Sequence, residues 1–314
     1  METRTPVGFI TFAVAMALFW MAQSASQAQI IYVPNKGTNS VGAYNASTGQ
    51  AVPGFSLSVE PISVGFGKVA GVAASGNMLY VIDVPFGPFG NSSEVGEYDA
   101  TTGAPINRSF ITDDSQMPLQ MAVSGTDLYV WNNSYSGTVG VYNATTGAVI
   151  SGTFISGVDG DGGMAILGST LYLASSGLDA SVSAYNTITG EPIDGFSLRG
   201  LTFPSLAISG TDLCVETGSG VGLYNATTGA PISTLTGDGA VSVGVSGTDL
   251  YLASGVGVSE YNATTGALIS GTFITGQSEV GTIFVSTPVP EPAAWALVAS
   301  SLGLLYRMRG LRRT

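Results

Sequence analysis

The sequence predicts an all-β protein: a six-bladed β-propeller of four-stranded antiparallel blades, flanked by a signal peptide and a C-terminal transmembrane helix. Three observations lead there. Val, Ile, Thr, Tyr and Gly are abundant and good helix formers are few, with 44 Gly among 314 residues. The phrase Tyr-Asn-Ala-Thr-Thr-Gly recurs six times with small changes, its Tyr at 44, 98, 142, 185, 224 and 261, at intervals of 54, 44, 43, 39 and 37 residues. A second phrase of the Leu-Tyr-Val type falls once per period, at 31–33, 79–81, 128–130, 171–173, 213–215 and 250–252.

Each period holds four short strand candidates, designated a to d. In the third unit they are 119–123, 127–131, 138–143 and 149–155, rich in β-branched or aromatic residues and bounded by Gly, Ser, Asn or Asp. The a–b link, Ser124-Gly125-Thr126, is tight enough for a hairpin. In the c–d link Asn143 is suited to an Asx-turn and Gly147 to a positive φ. Four antiparallel strands in about 43 residues are the mark of a propeller blade. The ends of the array fix the count. Ile30-Ile31-Tyr32-Val33 is a strand b with no strand a before it, and 280–286 aligns with 241–246 as a strand a with no strand b after it. Joining them completes a sixth blade and leaves no lone terminal edge. A solenoid needs caps instead of closure, and a seventh blade needs a degenerate unit inside the 54-residue interval. The repeated Tyr read as packing residues, and Cys214, which replaces the Tyr of its Leu-Tyr-Val phrase, as a buried small hydrophobe.

Composition excludes several chemistries. The chain is 45% hydrophobic but 10% charged, against roughly 25% in ordinary globular proteins. With no His and one Cys it has no Ser-His-Asp or Cys-His catalysis, no His-ligated metal and no internal disulfide. A net charge of −12 argues against a nucleic-acid partner, because phosphate neutralisation needs Lys and Arg.

The two ends read as addresses. Residues 1–28 have the form of a signal peptide for signal peptidase: Arg4, an apolar run over 7–22, then Ser26-Gln27-Ala28 with cleavage after Ala28. The propeller is expected over 29–287. Residues 288–314 are an anchor segment: Pro290-Glu291-Pro292, an apolar stretch over 293–306, then Arg307, Arg309, Arg312 and Arg313. A closing Arg cluster leaves its side of the membrane cytoplasmic. This order of parts resembles the PEP-CTERM sorting signal of Gram-negative bacteria. The resemblance covers 289–314 and implies that an exosortase recognises Pro290-Glu291-Pro292 and removes the tail, so that a protein held briefly in the inner membrane passes to the cell surface or extracellular matrix. Such families tend to occur in bacteria that export polysaccharide, a hint about partners.

In a propeller the a–b and c–d turns share one face, the turn face, and the b–c and d–a loops share the other, the loop face. The turns here are nearly identical from unit to unit, whereas the loops vary, so function is expected on the loop face. Candidates for a binding surface are Phe86 and Phe89 in the insert 85–90, and Trp131 and Tyr135 at the next long loop; core packing is the competing reading of Trp131. The body, 30–287, holds four Lys and Arg against 19 Asp and Glu. Of these acids Asp159 and Asp161, in Asp-Gly-Asp-Gly-Gly, are the best local candidates for calcium; solvating surface charge is the alternative. No other cofactor is indicated. Strand a residues such as 121–123, 164–166 and 206–208 are small and apolar and suggest a plugged, inert hub.

Two functions follow. One is a non-catalytic envelope or matrix scaffold that binds polysaccharide or another surface protein. The other is a secreted enzyme, either a carboxylate-based glycan hydrolase or lyase or a quinoprotein-like dehydrogenase. The Asn-Ala-Thr-Thr-Gly turn is similar to the Asp-x-x-Thr-Gly turn of quinoprotein propellers, but no copy here is followed by their docking Trp, and adjacent Cys residues are absent.

Overall fold

The computed structural model describes residues 29–286 apart from 60–65, 87–92, 113–117, 133–136, 159–161, 177–179, 202–204 and 236–239, and at 66–68 and 85–86 it gives the backbone alone. The signal peptide, the Pro290-Glu291-Pro292 motif and the arginines 307, 309, 312 and 313 lie outside the described residues, as do Phe89, Tyr135, Asp159 and Asp161.

Gln29–Thr287 forms one compact unit. Its strands make six four-stranded antiparallel sheets, with no helix among the described residues. Blade 2 is Phe66–Ser75, Met78–Phe86, Glu94–Asp99 and Pro105–Thr112. Blade 3 is Pro118–Ser124, Asp127–Asn132, Thr138–Asn143 and Val149–Ser156. Blade 4 is Met164–Leu167, Thr170–Ser175, Ser181–Asn186 and Pro192–Arg199. Blade 5 is Leu206–Ser209, Asp212–Glu216, Val221–Asn225 and Pro231–Leu235. Blade 6 is Ser242–Ser246, Asp249–Ser254, Gly257–Asn262 and Leu268–Ile274.

Blade 1 is assembled from both ends of the body. Its strands b, c and d are Ile30–Asn35, Ser40–Asn45 and Leu57–Ser58, and its strand a is Phe284–Val285. Val285 lies opposite Ile31 and Phe284 opposite Tyr32. The Ser286 N–H donates to the Ile30 carbonyl at 2.8 Å, and the Gln29 side chain donates to the Ser286 carbonyl at 3.1 Å and accepts from Ser246 Oγ in blade 6. The expected closure is therefore present, on a shorter strand than the 280–286 alignment suggests.

The recurring turn works as its residues imply. Asn143 Oδ1 accepts the N–H groups of Thr145 and Thr146 at 3.0 and 2.9 Å, and Gly147 sits at φ +70°. A Cβ at Gly147 would also run into the Phe110 carbonyl of blade 2, so the glycine answers both conformation and close approach. The strand b Tyr links the blades. The hydroxyls of Tyr32, Tyr80, Tyr129, Tyr172 and Tyr251 donate to the carbonyls of Ala100, Ala144, Thr187, Ala226 and Ala46, each the second residue of the next blade's turn, at 2.5–2.9 Å. Blade 5 carries Cys214 there, fully buried, with burial pushing its thiol up to about 12. The apolar core is correspondingly divided into six clusters, one at each blade–blade interface; Leu79 and Val81 of blade 2, for example, pack with Tyr32 and Leu57 of blade 1.

Candidate functional site

The six strands a surround the axis, and their small side chains leave it open. A cavity of about 370 Å³ runs between them, lined by Val72, Met121, Met164, Leu206, Val243 and Ile283 among others. The hub is apolar as expected but hollow, because residues such as Ala122, Ala165, Ala207 and Gly244 are too small to fill it. Its volume is at the lower end of the roughly 300–1,000 Å³ of small-molecule sites. No ionisable side chain lines it among the described residues. At the loop-face end Gln120 Nε2 donates to Thr282 Oγ1 at 2.8 Å, joining blades 3 and 1 across the start of the channel. At the turn-face end the lining is Ser209, Gly210, Gly247, Gln29 and Ser286.

The loop face has a second feature. Four residues after the first position of each Leu-Tyr-Val phrase, where strand b reaches the loop face, every blade carries a small polar residue: Asn35, Asp83, Asn132, Ser175, Thr217 and Ser254. In four blades it pins its own b–c connection or a neighbour. Asn35 Oδ1 accepts from the Thr38 N–H and from Ser278 Oγ, both at 3.2 Å. Ser175 Oγ accepts from the Ser181 N–H at 3.2 Å, Thr217 Oγ1 donates to the Gly220 carbonyl at 2.9 Å, and Ser254 Oγ to the Gly257 carbonyl at 3.3 Å.

Blades 2 and 3 differ. Among the described residues both Asp83 oxygens and Asn132 Nδ2 are buried without a hydrogen-bond partner, as are Ser93 Oγ and Thr138 Oγ1 beside the same strand ends. Asp83 lies directly opposite Glu94, and Thr138 opposite Asn132. Burial first, and then the Glu94 charge, push the Asp83 carboxyl up to about 6. The rim of these two blades thus holds hydrogen-bonding capacity that the other blades use on their own loops. The polar position is visible in the sequence once the phrases are aligned, and it escapes notice only when each loop is read alone.

The sequence-derived candidates fall as follows. Trp131 belongs to the core: it is fully buried between blades 3 and 4 with Val139, Ile155 and Leu173, and so cannot serve as a surface contact. Its place in strand b, one residue before the rim, turns it toward the next blade. Phe86 ends strand b of blade 2, opposite Phe66, so the insert that begins at Pro85 starts as an extension of the a–b hairpin and not as a free loop. Among the described residues no group of three Cys, Asp or Glu side chains is placed to hold a metal.

No protein-family model matches the chain, and no curated protein matches it. Solved structures do. A chain from the crystal structure of a nidogen/laminin complex aligns over 83% of this chain and 100% of its own, at TM-score 0.65 and 13% identity. A Bacteroides caccae protein of unknown function aligns over 82% of this chain and 99% of its own, at TM-score 0.57 and 12% identity. BamB from Moraxella catarrhalis aligns over 78% of this chain and 72% of its own, at TM-score 0.45 and 16% identity. At these identities the first two matches show a likeness of fold.

Proposed function

We propose that the chain is an exported, exosortase-sorted protein of the cell envelope or extracellular matrix of a Gram-negative bacterium, whose propeller is a non-catalytic scaffold binding polysaccharide or a surface protein through its loop face. The observation that carries the reading is where the folded body stops. It starts at Gln29, directly after the expected signal-peptidase site, and its closing strand ends at Val285, five residues before Pro290. Both expected cuts therefore fall outside the hydrogen bonds that close the ring, which run between Gln29, Ile30 and Ser286. A fold neighbour taken from a nidogen/laminin complex is in keeping with a protein partner.

Asp83 and Glu94 face each other across strands b and c of blade 2 and are electrostatically coupled. Both Asp83 oxygens are sealed from solvent, so a glycan could not reach them without rearrangement.

The test is the intact mass of the exported protein and its retention on the producer's own extracellular polysaccharide, with calcium or with a chelator. The reading expects a chain beginning at Gln29 and trimmed near Pro290, and Pro290→Ala/Pro292→Ala keeping the tail. Calcium-dependent retention would direct attention to Asp159 and Asp161. An untrimmed chain refutes the sorting role, and absence of retention in both conditions refutes polysaccharide binding.

A further inference from the structure

Among the described residues the outer strand of each blade, strand d, pairs with no strand on its far side, and an unpaired edge is a template for another strand. Four of the six edges are blunted. Blade 1 ends on two residues, Leu57–Ser58; blade 5 on five, opening with Pro231. Blade 2 carries Arg108 in mid-strand, and blade 4 carries Asp194 and Arg199. Short length, Pro and charge are the usual devices against edge pairing. Blades 3 and 6 have neither short length, Pro nor charge, and the register irregularity they carry is shared with blade 2. Their outer strands, Val149–Ser156 and Leu268–Ile274, are uncharged and eight and seven residues long. Each opens with an exposed apolar pair, Val149 and Ile150 at 65% and 57%, Leu268 and Ile269 at 60% and 53%.

These two edges are also nearly the same edge. Residues 143–157 and 262–276 are identical at 13 of 15 positions and share Ile-Ser-Gly-Thr-Phe-Ile. Both show the same irregular register against strand c, between Ser151 and Ile155 and between Ser270 and Ile274. In a closed ring of six, blades 3 and 6 stand half a turn apart.

We propose that these edges join copies of this chain end to end, blade 3 or 6 of one copy against blade 3 or 6 of the next. Three features select a second copy as the occupant. A site for one foreign partner needs one such edge, whereas end-to-end assembly needs two, on opposite sides. Two uncharged edges meet without repulsion, which two copies of the blade 2 edge, each carrying Arg108, would not. A joint that leaves the far edge free does not close on itself, so it propagates as a linear array. The irregular register divides the backbone pairing into two short runs, which leaves the apolar pairs as the main adhesive and makes the joint concentration-dependent. The inference does not rest on the sorting role.

The experiment uses the full chain in the exporting cells and a short bis-maleimide cross-linker. The one native cysteine, Cys214, is buried and so silent. Ile150→Cys/Ile269→Cys is expected to give a ladder of integral multiples of the chain, and either single variant nothing beyond a dimer. Ile106→Cys/Ile232→Cys, on the blunted edges of blades 2 and 5 and equally exposed at 51%, is the control and should stay monomeric. Ile150→Lys/Ile269→Lys, purified in detergent, should lose the concentration-dependent mass of the wild type while melting at the same temperature. A double-cysteine variant that cross-links no more than the control overturns the proposal. So do cross-linked bands that are not multiples of the chain, which would signify a foreign partner, and a wild type that stays monomeric at all concentrations.

Discussion

Tyr172→Phe isolates the inter-blade hydrogen bond, because the ring stays and only the hydroxyl goes. Tyr172 is buried, its hydroxyl donates to the Ala226 carbonyl at 2.7 Å, and its ring meets Phe196 edge-on at 5.3 Å. Losing the bond costs about 1 kcal/mol net, and leaving the Ala226 carbonyl without that donor inside the interface raises the figure toward about 2 kcal/mol. At roughly 2–4 °C per kcal/mol for a body of this size, the melting temperature should fall by roughly 2–8 °C. Tyr172→Ala removes the ring as well and should cost about 3–5 kcal/mol. Thermal melts followed by circular dichroism separate the two. The pH dependence supplies a second reading. Burial raises the Tyr172 phenol, and holds Tyr32 and Tyr80 at about 12. A phenol whose folded pKa lies above its unfolded value of about 10 contributes fully below pH 10 and loses that contribution as pH rises through the folded pKa. The penalty of Tyr172→Phe should therefore shrink above pH 10. If the Phe variant melts with the wild type at pH 7 while the Ala variant loses its full share, the hydroxyl carries no stability and the linking role of the Tyr is wrong.

Three further outcomes can be checked in the same way. Gly147→Ala meets both a φ of +70° and the Phe110 carbonyl, whereas Gly125→Ala meets a φ of +59° with open space around it. Both pay a left-handed backbone cost of about 1–2 kcal/mol, so urea midpoints should fall further for Gly147→Ala, and equal midpoints would discount the close approach. Asp83→Asn should stabilise above pH 6 by up to about 3 kcal/mol, because the carboxyl penalty builds as pH rises from its unfolded pKa to about 6; the gain should vanish below pH 4, and a gain that persists there contradicts the assignment. A stop after Ile283 deletes Phe284, Val285 and Ser286 and opens strand b of blade 1, whereas a stop after Thr287 spares the ring. Only the first should abolish the cooperative melt, and a shared melting profile would show that the closing strand is dispensable.

The parts of this fold that were legible in the sequence are those that repeat. Asn143 with Gly147 specifies a turn by local chemistry, and five more copies at similar spacing turn that local statement into a blade count. The closure was legible because a strand b without its strand a stands at one end and its complement at the other. Loops occur once each, so no second copy discloses their phase. Trp131 ends the strand expected over 127–131 and polar residues follow it, so a loop-face contact and core packing were both open; strand alternation places it on the face that meets blade 4. The open hub escaped for a different reason. Side-chain size along one strand shows that the lining is small, but the space left over depends on how far six strands stand from a common axis, which is a property of the ring. The rim residues Asp83 and Asn132 were within reach, since the polar position recurs in all six phrases; only the hydrogen-bond partners distinguish them from Asn35 or Ser254.

Blade 5 shows how strictly one departure from the repeat binds another. In the five other blades the strand b Tyr packs on a Phe of its own blade, with ring centroids 5.3–6.0 Å apart: Tyr80 on Phe110, Tyr129 on Phe154, Tyr172 on Phe196 and Tyr251 on Phe273, all in strand d, and Tyr32 on Phe55, two residues before strand d of blade 1. Blade 5 has Cys214 in place of the Tyr, and its strand d ends at Leu235 without a Phe. Either change alone would leave an unstacked ring or a gap in a close-packed interface. Made together, they give a smaller cluster in which Cys214, Leu235, Val243 and Leu250 fill the 5–6 interface. That interface lacks the hydroxyl link which joins every other pair of neighbours, and Cys214→Tyr alone would not restore it, because the added ring meets a core already closed around the thiol.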